Sequence, residues 1–506
     1  MSDATPQVLR LIPDTDPDAT AVITDARSFT WGELERRARQ LANALDAVGV
    51  GRGGVWAVLL HNRAEWPEIV LGNARAGSRY VPLNWHLTAT ELADLLIDSG
   101  STLMLVEPAL REVADAAAAI AGVTLIVELG DEYETWLSDA SDQPPTERQI
   151  GSPLLYTGGT TGRSKGVTRS DQAGRASDWR TMWAGWGRLV RMPTEGTTLS
   201  TTPLYHALGM AALVASLASG VPVVIVPRFT PESTLAAIGQ HSITSAAMVP
   251  TQFIRMLKLD EEVRNRYDVS SLKWILHTAA PCPEWAKRAM IDWFGPVIYE
   301  MYGASEGAGP AICDSHEWLA HPGTVGRASA RIEYSIVDDE GNDLPNGEIG
   351  TIYCKRVDGA PEYYGDEEKT ASIQLPDGRF TVGDIGWLDD DGFLYLADRR
   401  VDLIITGGSN VYPAEIEAVL VEHPSIGDAA VFGIPDADMG QQIKAVLEPA
   451  GDEPIDIDDV RAFVAERLAK FKVPKSFDVI DALPREAHGK LKKRILREPY
   501  WQDATP

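Results

Sequence analysis

The chain contains few cysteines, no long apolar run and a shortage of basic side chains. Its three cysteines, Cys282, Cys313 and Cys354, form no CxxC pair, so the sequence indicates neither a zinc motif nor a disulfide framework. No apolar stretch reaches the length of a membrane span, and the N-terminus lacks the basic start and apolar core of a signal peptide. These absences favour a cytoplasmic protein.

Acidic side chains outnumber basic ones, 73 to 46, and the formal net charge is −27. Such a charge argues against nucleic acid or an anionic membrane as the main partner. The hydrophobic content of 44% and the charged content of 24% are typical of a soluble globular protein. A chain of 506 residues is expected to form two or more domains. The oligomeric state stays open, with a homodimer as one alternative.

The first half of the chain alternates apolar runs with helical patterns. Four runs have the Val, Leu and Ile content of buried parallel strands: residues 55–60, 79–83, 102–106 and 123–129. A helix is predicted after Thr30, which has capping-box spacing to Glu33. A polar, proline-containing connection is predicted over residues 137–149. Because similar runs recur later, the sequence predicts a doubly wound α/β fold; they lie at residues 221–227, 245–250, 274–280 and 296–303.

The last third of the chain has a different pattern. From about residue 325, short alternating runs and turns predict a small β region. Residues 413–426 and 456–471 have helical patterns, and residues 428–435 resemble a strand. This part is therefore expected to be α+β.

A glycine- and hydroxyl-rich segment lies at residues 157–166 and contains Lys165. Glycines let backbone N–H groups approach a ligand closely, and hydroxyls and a lysine add donors that suit phosphate. It is not a Walker loop, because Ser164 rather than glycine precedes the lysine. From composition alone, a surface turn is an equal alternative.

Five stretches occur together: "YTGGTTGRSKG" at 156–166, "YGASEG" at 302–307, the segment 380–417, "FKVPK" at 471–475 and "LPREAHGKLKKR" at 483–494. In this order and spacing they resemble the adenylate-forming superfamily, which includes acyl-CoA synthetases, aryl-CoA ligases, luciferases and peptide-synthetase adenylation domains. The resemblance extends from near residue 20 to near residue 495.

The resemblance implies an ATP-dependent acyl-CoA synthetase. A small-molecule carboxylic acid joins the α-phosphate of ATP with loss of pyrophosphate, and coenzyme A then displaces AMP; Mg²⁺ assists. It also implies an N-terminal domain of doubly wound sheets with a small β-barrel region over residues 1–398. A hinge at 399–402 and a smaller mobile α+β domain at 403–506 would follow.

The resemblance assigns nucleotide-binding residues. Asp384 would accept the ribose hydroxyls, Tyr302 would stack near adenine, and Glu306 would bind Mg²⁺. Gly303, Ser305 and Arg399 complete the nucleotide contacts. The phosphate clasp would comprise Thr157, Gly158, Gly159, Thr160, Thr161, Gly162 and Lys165.

The resemblance also assigns catalytic and thioester-forming residues. Lys490 would neutralise the charge that builds between the carboxylate and the α-phosphate. Gly407, Gly408 and Lys472 would line the coenzyme A path, with Val401 as the hinge. Two positions depart from the family pattern: Ser164 stands where proline is usual, and Val401 where Asp or Lys is usual.

The acyl pocket is assigned to His206, Gly209 and Met210, with His206 also counted among the catalytic residues. Trp179, Trp183 and Trp186 share one helix face, where core packing is the more common outcome. If they line the pocket, they favour a bulky apolar or aromatic acid. Two alternatives remain: an adenylating enzyme whose acceptor is a carrier-protein thiol or water, and a non-catalytic nucleotide- or acyl-binding protein.

Overall fold

The computed structural model describes residues 11–145, 150–157, 165–167, 178–304, 307–338, 340–357, 359–360, 370–371, 373–399, 402–406, 409–436, 439–451, 453–485 and 491–502. By its internal contacts the chain divides into two compact units. Unit 1 comprises residues 1–278, 289–299 and 361–370, and unit 2 comprises residues 279–288, 300–360 and 371–506. The domain boundary near residue 398 stays a prediction.

The strands of the described residues are β1 (Thr20–Ile23), β2 (Ser28–Thr30), β3 (Val55–Leu59), β4 (Arg79–Pro82), β5 (Leu103–Val106), β6 (Leu125–Glu128), β7 (Ser152–Pro153), β8 (Leu155–Thr157), β9 (Lys165–Val167), β10 (Thr198–Ser200), β11 (Val223–Ile225), β12 (Ser245–Met248), β13 (Trp274–His277), β14 (Ile298–Tyr302), β15 (Ala311–Cys313), β16 (Thr324–Ala328), β17 (Ile332–Val337), β18 (Gly350–Arg356), β19 (Asp384–Leu388), β20 (Phe393–Arg399), β21 (Ile404–Thr406), β22 (Ser409–Val411), β23 (Ile426–Asp436), β24 (Gly440–Pro449) and β25 (Ser476–Val479).

The helices of the described residues are α1 (Trp31–Ala47), α2 (Trp66–Ala76), α3 (Ala89–Ser99), α4 (Arg111–Ala121), α5 (Asp131–Ser138), α6 (Trp179–Leu189), α7 (Ala207–Ser219), α8 (Pro231–Gln240), α9 (Pro250–Leu257), α10 (Glu261–Arg264), α11 (Glu284–Phe294), α12 (Ser315–Ala320), α13 (Pro413–Leu420), α14 (Ile457–Arg467) and α15 (Lys493–Gln502). Within the described ranges, the helices are too short or too polar to cross a bilayer.

Unit 1 contains the parallel sheets that the apolar runs predict. One sheet has the order β6-β5-β3-β4-β7, and all of its neighbouring strands are parallel. Ala57 and Leu59 of β3 pack in one buried core with Leu92 of α3 and Ala114 of α4. A second series, β13-β12-β10-β11-β1, is also parallel, and β2 adds an antiparallel edge. Short buried strands joined by helices therefore give the expected α/β fold.

Helix α1 begins where the capping box predicts. The Thr30 hydroxyl accepts from the backbone N–H of Glu33, and the Glu33 carboxylate accepts from the backbone N–H of Thr30. The reciprocal bonds satisfy two N–H groups that have no partner within the helix. The connection predicted at 137–149 starts slightly later than expected, because α5 continues to Ser138. Tyr133 and Leu137 of α5 lie one turn apart, are both buried, and hold the helix against the rest of unit 1.

Unit 2 contains the antiparallel β region and the C-terminal α+β region. The described strand pairs run in the linear order β17-β18-β19-β20-β16-β15-β14, so closure into a barrel stays a prediction. A separate sheet has the order β22-β21-β24-β23, with β25 parallel to β24. Ile416 of α13 and Val464 of α14 pack on this sheet in one buried core with Val431 and Leu447.

Candidate active site

The glycine-rich segment is framed by an antiparallel pair of strands. Strand β8 pairs with β9, and Thr157 lies opposite Lys165 in the register. The first and last residues of the predicted phosphate clasp are therefore neighbours across this pair. Gly158, Gly159, Thr160, Thr161 and Gly162 lie outside the described residues, as does Ser164. Phosphate binding by this segment stays a prediction.

Tyr302 and Asp384 form the best-defined polar contact among the predicted nucleotide residues. The Tyr302 hydroxyl donates to Oδ2 of Asp384 over 2.7 Å, although the residues are 82 positions apart. Burial, together with the nearby Asp384 carboxylate, raises the pKa of Tyr302 well above its usual value. The hydroxyl therefore stays protonated and donates to Asp384, which is only 6% exposed. A carboxylate held this way is oriented before a ligand arrives.

The backbone explains where Asp384 lies. Gly383 adopts a left-handed conformation with φ +84°, and its N–H bonds to the Thr381 hydroxyl over 3.0 Å. This turn starts β19 at Asp384, and the register with β20 places Arg399 directly opposite Asp384. The predicted ribose-binding aspartate and arginine are thus cross-strand partners. A side chain other than glycine would strain the turn.

The region around "YGASEG" is described only in part. Tyr302 ends β14 and packs in a buried cluster with Ala311 and Ile336, so most of its ring is covered by unit 2 itself. A Cβ at Gly303 would lie 3.7 Å from the Ala308 carbonyl oxygen, which is an ordinary contact. Packing of the described residues therefore does not require this glycine. Ser305 and Glu306 lie outside the described residues, and adenine stacking by Tyr302 stays a prediction.

A buried ion pair near Tyr302 was not predicted from the sequence. Lys287 of α11 is fully buried, and its Nζ lies 2.5 Å from Oε2 of Glu300, two residues before Tyr302 on β14. The Lys287 ammonium also lies 4.9 Å from the Trp318 ring centroid. Burial raises the pKa of Glu300, and the lysine opposes that shift. No local pattern marks a pair whose members belong to different elements.

In unit 1, α7 carries the predicted acyl-pocket residues. His206 occupies the N-cap position of α7 and is half-buried, with its ring 4.2 Å from that of Tyr205. A Cβ at Gly209 would lie 2.7 Å from the Thr202 hydroxyl oxygen. Close packing therefore explains why position 209 is a glycine, since the absence of a side chain lets α7 approach the segment before it. Contact of either residue with an acyl group stays a prediction.

Met210 lines a cleft together with two of the three predicted tryptophans. We call it the tryptophan cleft; its walls are Val70, Asn73, Tyr80, Ile150, Gly151, Ser152, Pro153, Trp179, Met182, Trp183, Met210 and Val214. Trp179 is buried, whereas Trp183 and Trp186 are half-buried. The helix face that carries the three tryptophans is therefore neither wholly buried nor wholly exposed. Tyr80 and Asn73 also line this cleft, and the sequence assigned neither of them a role.

The predicted coenzyme A and hinge residues are mostly outside the described residues. These are Val401, Gly407, Gly408 and Lys490. Lys472 is described, and its Nζ lies 2.7 Å from both carboxylate oxygens of Glu415. Glu415 therefore offsets the charge of Lys472 in this arrangement, and a coenzyme A phosphate would have to compete with it.

Comparisons with known proteins place the chain in a family. A family model described as AMP-binding enzyme matches residues 11–364, and one described as AMP-binding enzyme C-terminal domain matches residues 415–490. The chain therefore belongs to the AMP-binding enzymes, the adenylate-forming superfamily that the motifs predict. Relatives of this chain include CoA ligases, and the chain is an AMP-forming ligase.

Individual relatives match over nearly the whole chain. A feruloyl-CoA synthase of Amycolatopsis sp is 34% identical, with 96% of each chain covered. The fatty acid–[acyl-carrier-protein] ligase ScoC of Streptomyces coeruleorubidus is 30% identical, covering 99% of this chain and 98% of ScoC. The ATP-bound crystal structure of MatB from Rhodopseudomonas palustris matches with a TM-score of 0.83 and 29% identity over 98% of both chains. The fold class, with a large N-terminal sheet domain and a smaller C-terminal domain, is thereby confirmed.

Proposed function

We propose that the protein is an ATP-dependent acyl-CoA synthetase. A carboxylate oxygen attacks the α-phosphorus of ATP, the bond to the bridging oxygen breaks, and pyrophosphate leaves. The coenzyme A thiol then loses its proton and attacks the acyl carbonyl, and AMP leaves. The observation that carries the proposal is the buried Asp384, whose carboxylate accepts from the Tyr302 hydroxyl and whose register partner on the neighbouring strand is Arg399. The chain that carries these residues belongs to the AMP-binding enzymes.

The nucleotide is assigned to residues from four segments. Asp384 accepts the ribose hydroxyls, and Arg399 adds a donor beside it. The phosphates are bound by the segment between Thr157 and Lys165, whose ends the β8–β9 pair holds together. Glu306 supplies a carboxylate of the kind that Mg²⁺ prefers, and the ion would neutralise phosphate charge. Ser305 and Gly303 lie beside it in the chain and complete the α-phosphate contacts.

Two anions must meet in the first step, so cationic groups are the main catalytic need. Lys490, in the C-terminal domain from residue 403, supplies this charge and withdraws by rotation about the hinge at 399–402 before the thiol enters. Val401 is the hinge residue, and Gly407, Gly408 and Lys472 line the thiol path. The C-terminal family match at residues 415–490 supports an intact second domain.

In this proposal, the carboxylic acid substrate has an apolar body. His206 and Gly209 lie beside the acyl group, and Met210 leads into the tryptophan cleft, whose walls are mainly apolar. The relatives named above act on feruloyl and fatty acyl groups, which supports a bulky or extended acid. Coenzyme A is the proposed acceptor; a carrier-protein thiol is the second candidate, which the similarity to ScoC favours. A cytoplasmic location is supported by the three unpaired cysteines, since secreted proteins tend to pair theirs.

The direct test is a ligation assay over a panel of aliphatic and aromatic carboxylic acids. Each reaction contains ATP and Mg²⁺, with either coenzyme A or a phosphopantetheinylated carrier protein as acceptor, and the thioester is detected by mass. We expect acyl-CoA, AMP and pyrophosphate in equal amounts. Thioester on the carrier protein alone would transfer the assignment to the second candidate. AMP release without any thioester would overturn both.

Lys490 is tested by separating the half-reactions. We expect Lys490→Ala to lower carboxylate-dependent ATP–pyrophosphate exchange by about 100- to 1,000-fold, because charge stabilisation in the first step is lost. Transfer from preformed acyl-adenylate to coenzyme A should stay within about twofold. The matched control is Lys492→Ala, in the same basic run, which should leave both half-reactions unchanged. Equal loss of both half-reactions in Lys490→Ala would contradict a lysine that acts only in the first step.

A further inference from the structure

The side chain of Asn62 joins strand ends from two different sheets of unit 1. Asn62 follows β3 and is 6% exposed. Its Nδ2 donates to the carbonyl oxygens of Thr202 over 2.9 Å and of Val226 over 3.3 Å, and its Oδ1 accepts from the backbone N–H of Leu204 over 2.8 Å. Thr202 and Leu204 follow β10, and Val226 follows β11. One buried amide therefore satisfies three backbone groups beyond the carboxyl ends of the second parallel sheet.

A second buried amide, that of Gln252, holds the same segment from a neighbouring strand end. Gln252 lies in the first turn of α9, which follows β12, and it is 6% exposed. Its Oε1 accepts from the backbone N–H of Val249 over 3.0 Å, and its Nε2 donates to the hydroxyl oxygen of Thr201 over 3.2 Å. The segment 201–206, which connects β10 to α7, is therefore bonded to two other connections of unit 1.

These contacts lie where parallel sheets bind their ligands. Strand β10 pairs with β11 on one side and with β12 on the other, and the chain passes from β10 to β11 before it reaches β12. Such a reversal is a topological switch point, and ligands bind beyond the carboxyl ends of the strands there. Strand β3 has the corresponding place in the other sheet, between β4 and β5. The segment 201–206 therefore lies where this fold class places a ligand.

The segment ends at His206, the N-cap residue of α7. The backbone N–H of His206 bonds to the Pro203 carbonyl oxygen over 3.1 Å, so the histidine follows a turn within the segment. A Cβ on Gly209 would lie 2.7 Å from the Thr202 hydroxyl oxygen, so the first turn of α7 packs closely on the same segment. A shift of the segment would therefore move His206.

We infer that Asn62 is a positioning residue of the acid site, which fixes the segment 201–206 and thereby the place of His206. Gln252 has the same role from the side of β12. The polar atoms of both side chains bond to the protein itself, so they act through His206 rather than on the acid. The inference rests on the proposed function, in which His206 lies beside the acyl group.

The test is steady-state kinetics of the full chain with ATP, Mg²⁺, coenzyme A and the best acid of the panel. Asn62→Ala removes all three hydrogen bonds and should raise the KM for the acid about tenfold, because small displacements of a binding group are costly. The KM for ATP should stay within about twofold. Gln252→Met, which keeps a similar volume, should raise the KM for the acid by about threefold, because it removes one tie rather than three.

A double-mutant cycle with His206→Ala separates positioning from general destabilisation. Because Asn62 acts through His206, Asn62→Ala should lower kcat/KM much less in the His206→Ala background than in the wild type. Additive losses would overturn the inference, since independent sites add. Asn43→Ala is the control: its amide donates to the carbonyl oxygens of Ser141 over 2.6 Å and Gln143 over 3.0 Å, and its loss should leave the kinetics unchanged.

Thermal unfolding of each variant reports whether it folds. If Asn62→Ala does not fold, the cycle is run with Gln252→Met, and the same two outcomes decide the inference. Failure of the proposed function is a separate result, in which no acid of the panel yields a thioester. Hydrogen exchange then decides: faster exchange of the His206 amide proton in the variant, with unchanged exchange in β3, supports the inference. Unchanged exchange at His206 overturns it.

Discussion

The hydrogen bonding of buried polar groups differs between the tryptophan cleft of unit 1 and the Tyr302–Asp384 region of unit 2. In the cleft, the Tyr80 hydroxyl and the Asn73 amide have no partner among the described residues. In unit 2, the Tyr302 hydroxyl donates to Asp384, and Glu300 accepts from Lys287. All six residues are buried, with no more than 8% of any of them exposed.

Under the proposed function, the Tyr302–Asp384 region would hold the nucleotide. ATP is the same in every turnover, so a site for it can be oriented in advance by internal pairs. A buried donor without a partner, by contrast, favours a ligand that can pair with it.

The largest expected effect comes from breaking the buried ion pair in unit 2. Lys287→Met leaves the Glu300 carboxylate without its lysine and should lower the free energy of unfolding by about 3–5 kcal/mol. The double variant with Glu300→Met should recover much of this loss. Arg266→Met serves as the control, since its pair with Glu262 is 54% and 88% exposed and should contribute less than about 0.5 kcal/mol. Denaturant unfolding of the wild type and of the three variants measures these changes; equal effects of the buried and exposed pairs would refute the role of burial.

Substitutions at Tyr302 and Tyr80 test the comparison of the two regions most directly. Tyr302→Phe removes a hydrogen bond to a carboxylate and should lower the free energy of unfolding by about 1.5–3 kcal/mol. Tyr80→Phe removes a hydroxyl that has no partner among the described residues, so its free energy of unfolding should change by less than about 0.5 kcal/mol. Both are measured without ligand under the same conditions. Equal losses in the two variants would mean that the Tyr80 hydroxyl is satisfied in the free enzyme.

The smallest expected effect concerns nucleotide affinity. Asp384→Asn keeps an oxygen for the Tyr302 hydroxyl but weakens acceptance from the ribose, so AMP affinity should fall about tenfold, or about 1.4 kcal/mol. Thermal unfolding without nucleotide should change little. Asp390→Asn, on the exposed turn after β19, is the matched control and should bind AMP normally. Unchanged AMP affinity in Asp384→Asn would remove this carboxylate from the site.

Some features could be predicted from short windows of sequence. The apolar runs at residues 55–60 and 79–83 are confirmed as β3 and β4, and the Thr30–Glu33 capping box is confirmed at the start of α1. Each depends on residues within a few positions of one another, where periodicity and local hydrogen bonds decide the structure. The connection predicted at residues 137–149 begins two residues later, because α5 continues to Ser138 and Leu137 is buried.

The sequence by itself determined the α/β class and the family, because the motifs around Lys165, Tyr302 and Asp384 occur in a recognisable order. Only the tertiary structure decided that Tyr302 orients Asp384, that Lys287 neutralises Glu300, and that the Tyr80 hydroxyl has no hydrogen-bond partner in the part of the chain that the structure describes. The physical reason is that strand register and burial bring distant residues together. Whether a polar group is satisfied depends on those neighbours rather than on its place in the chain.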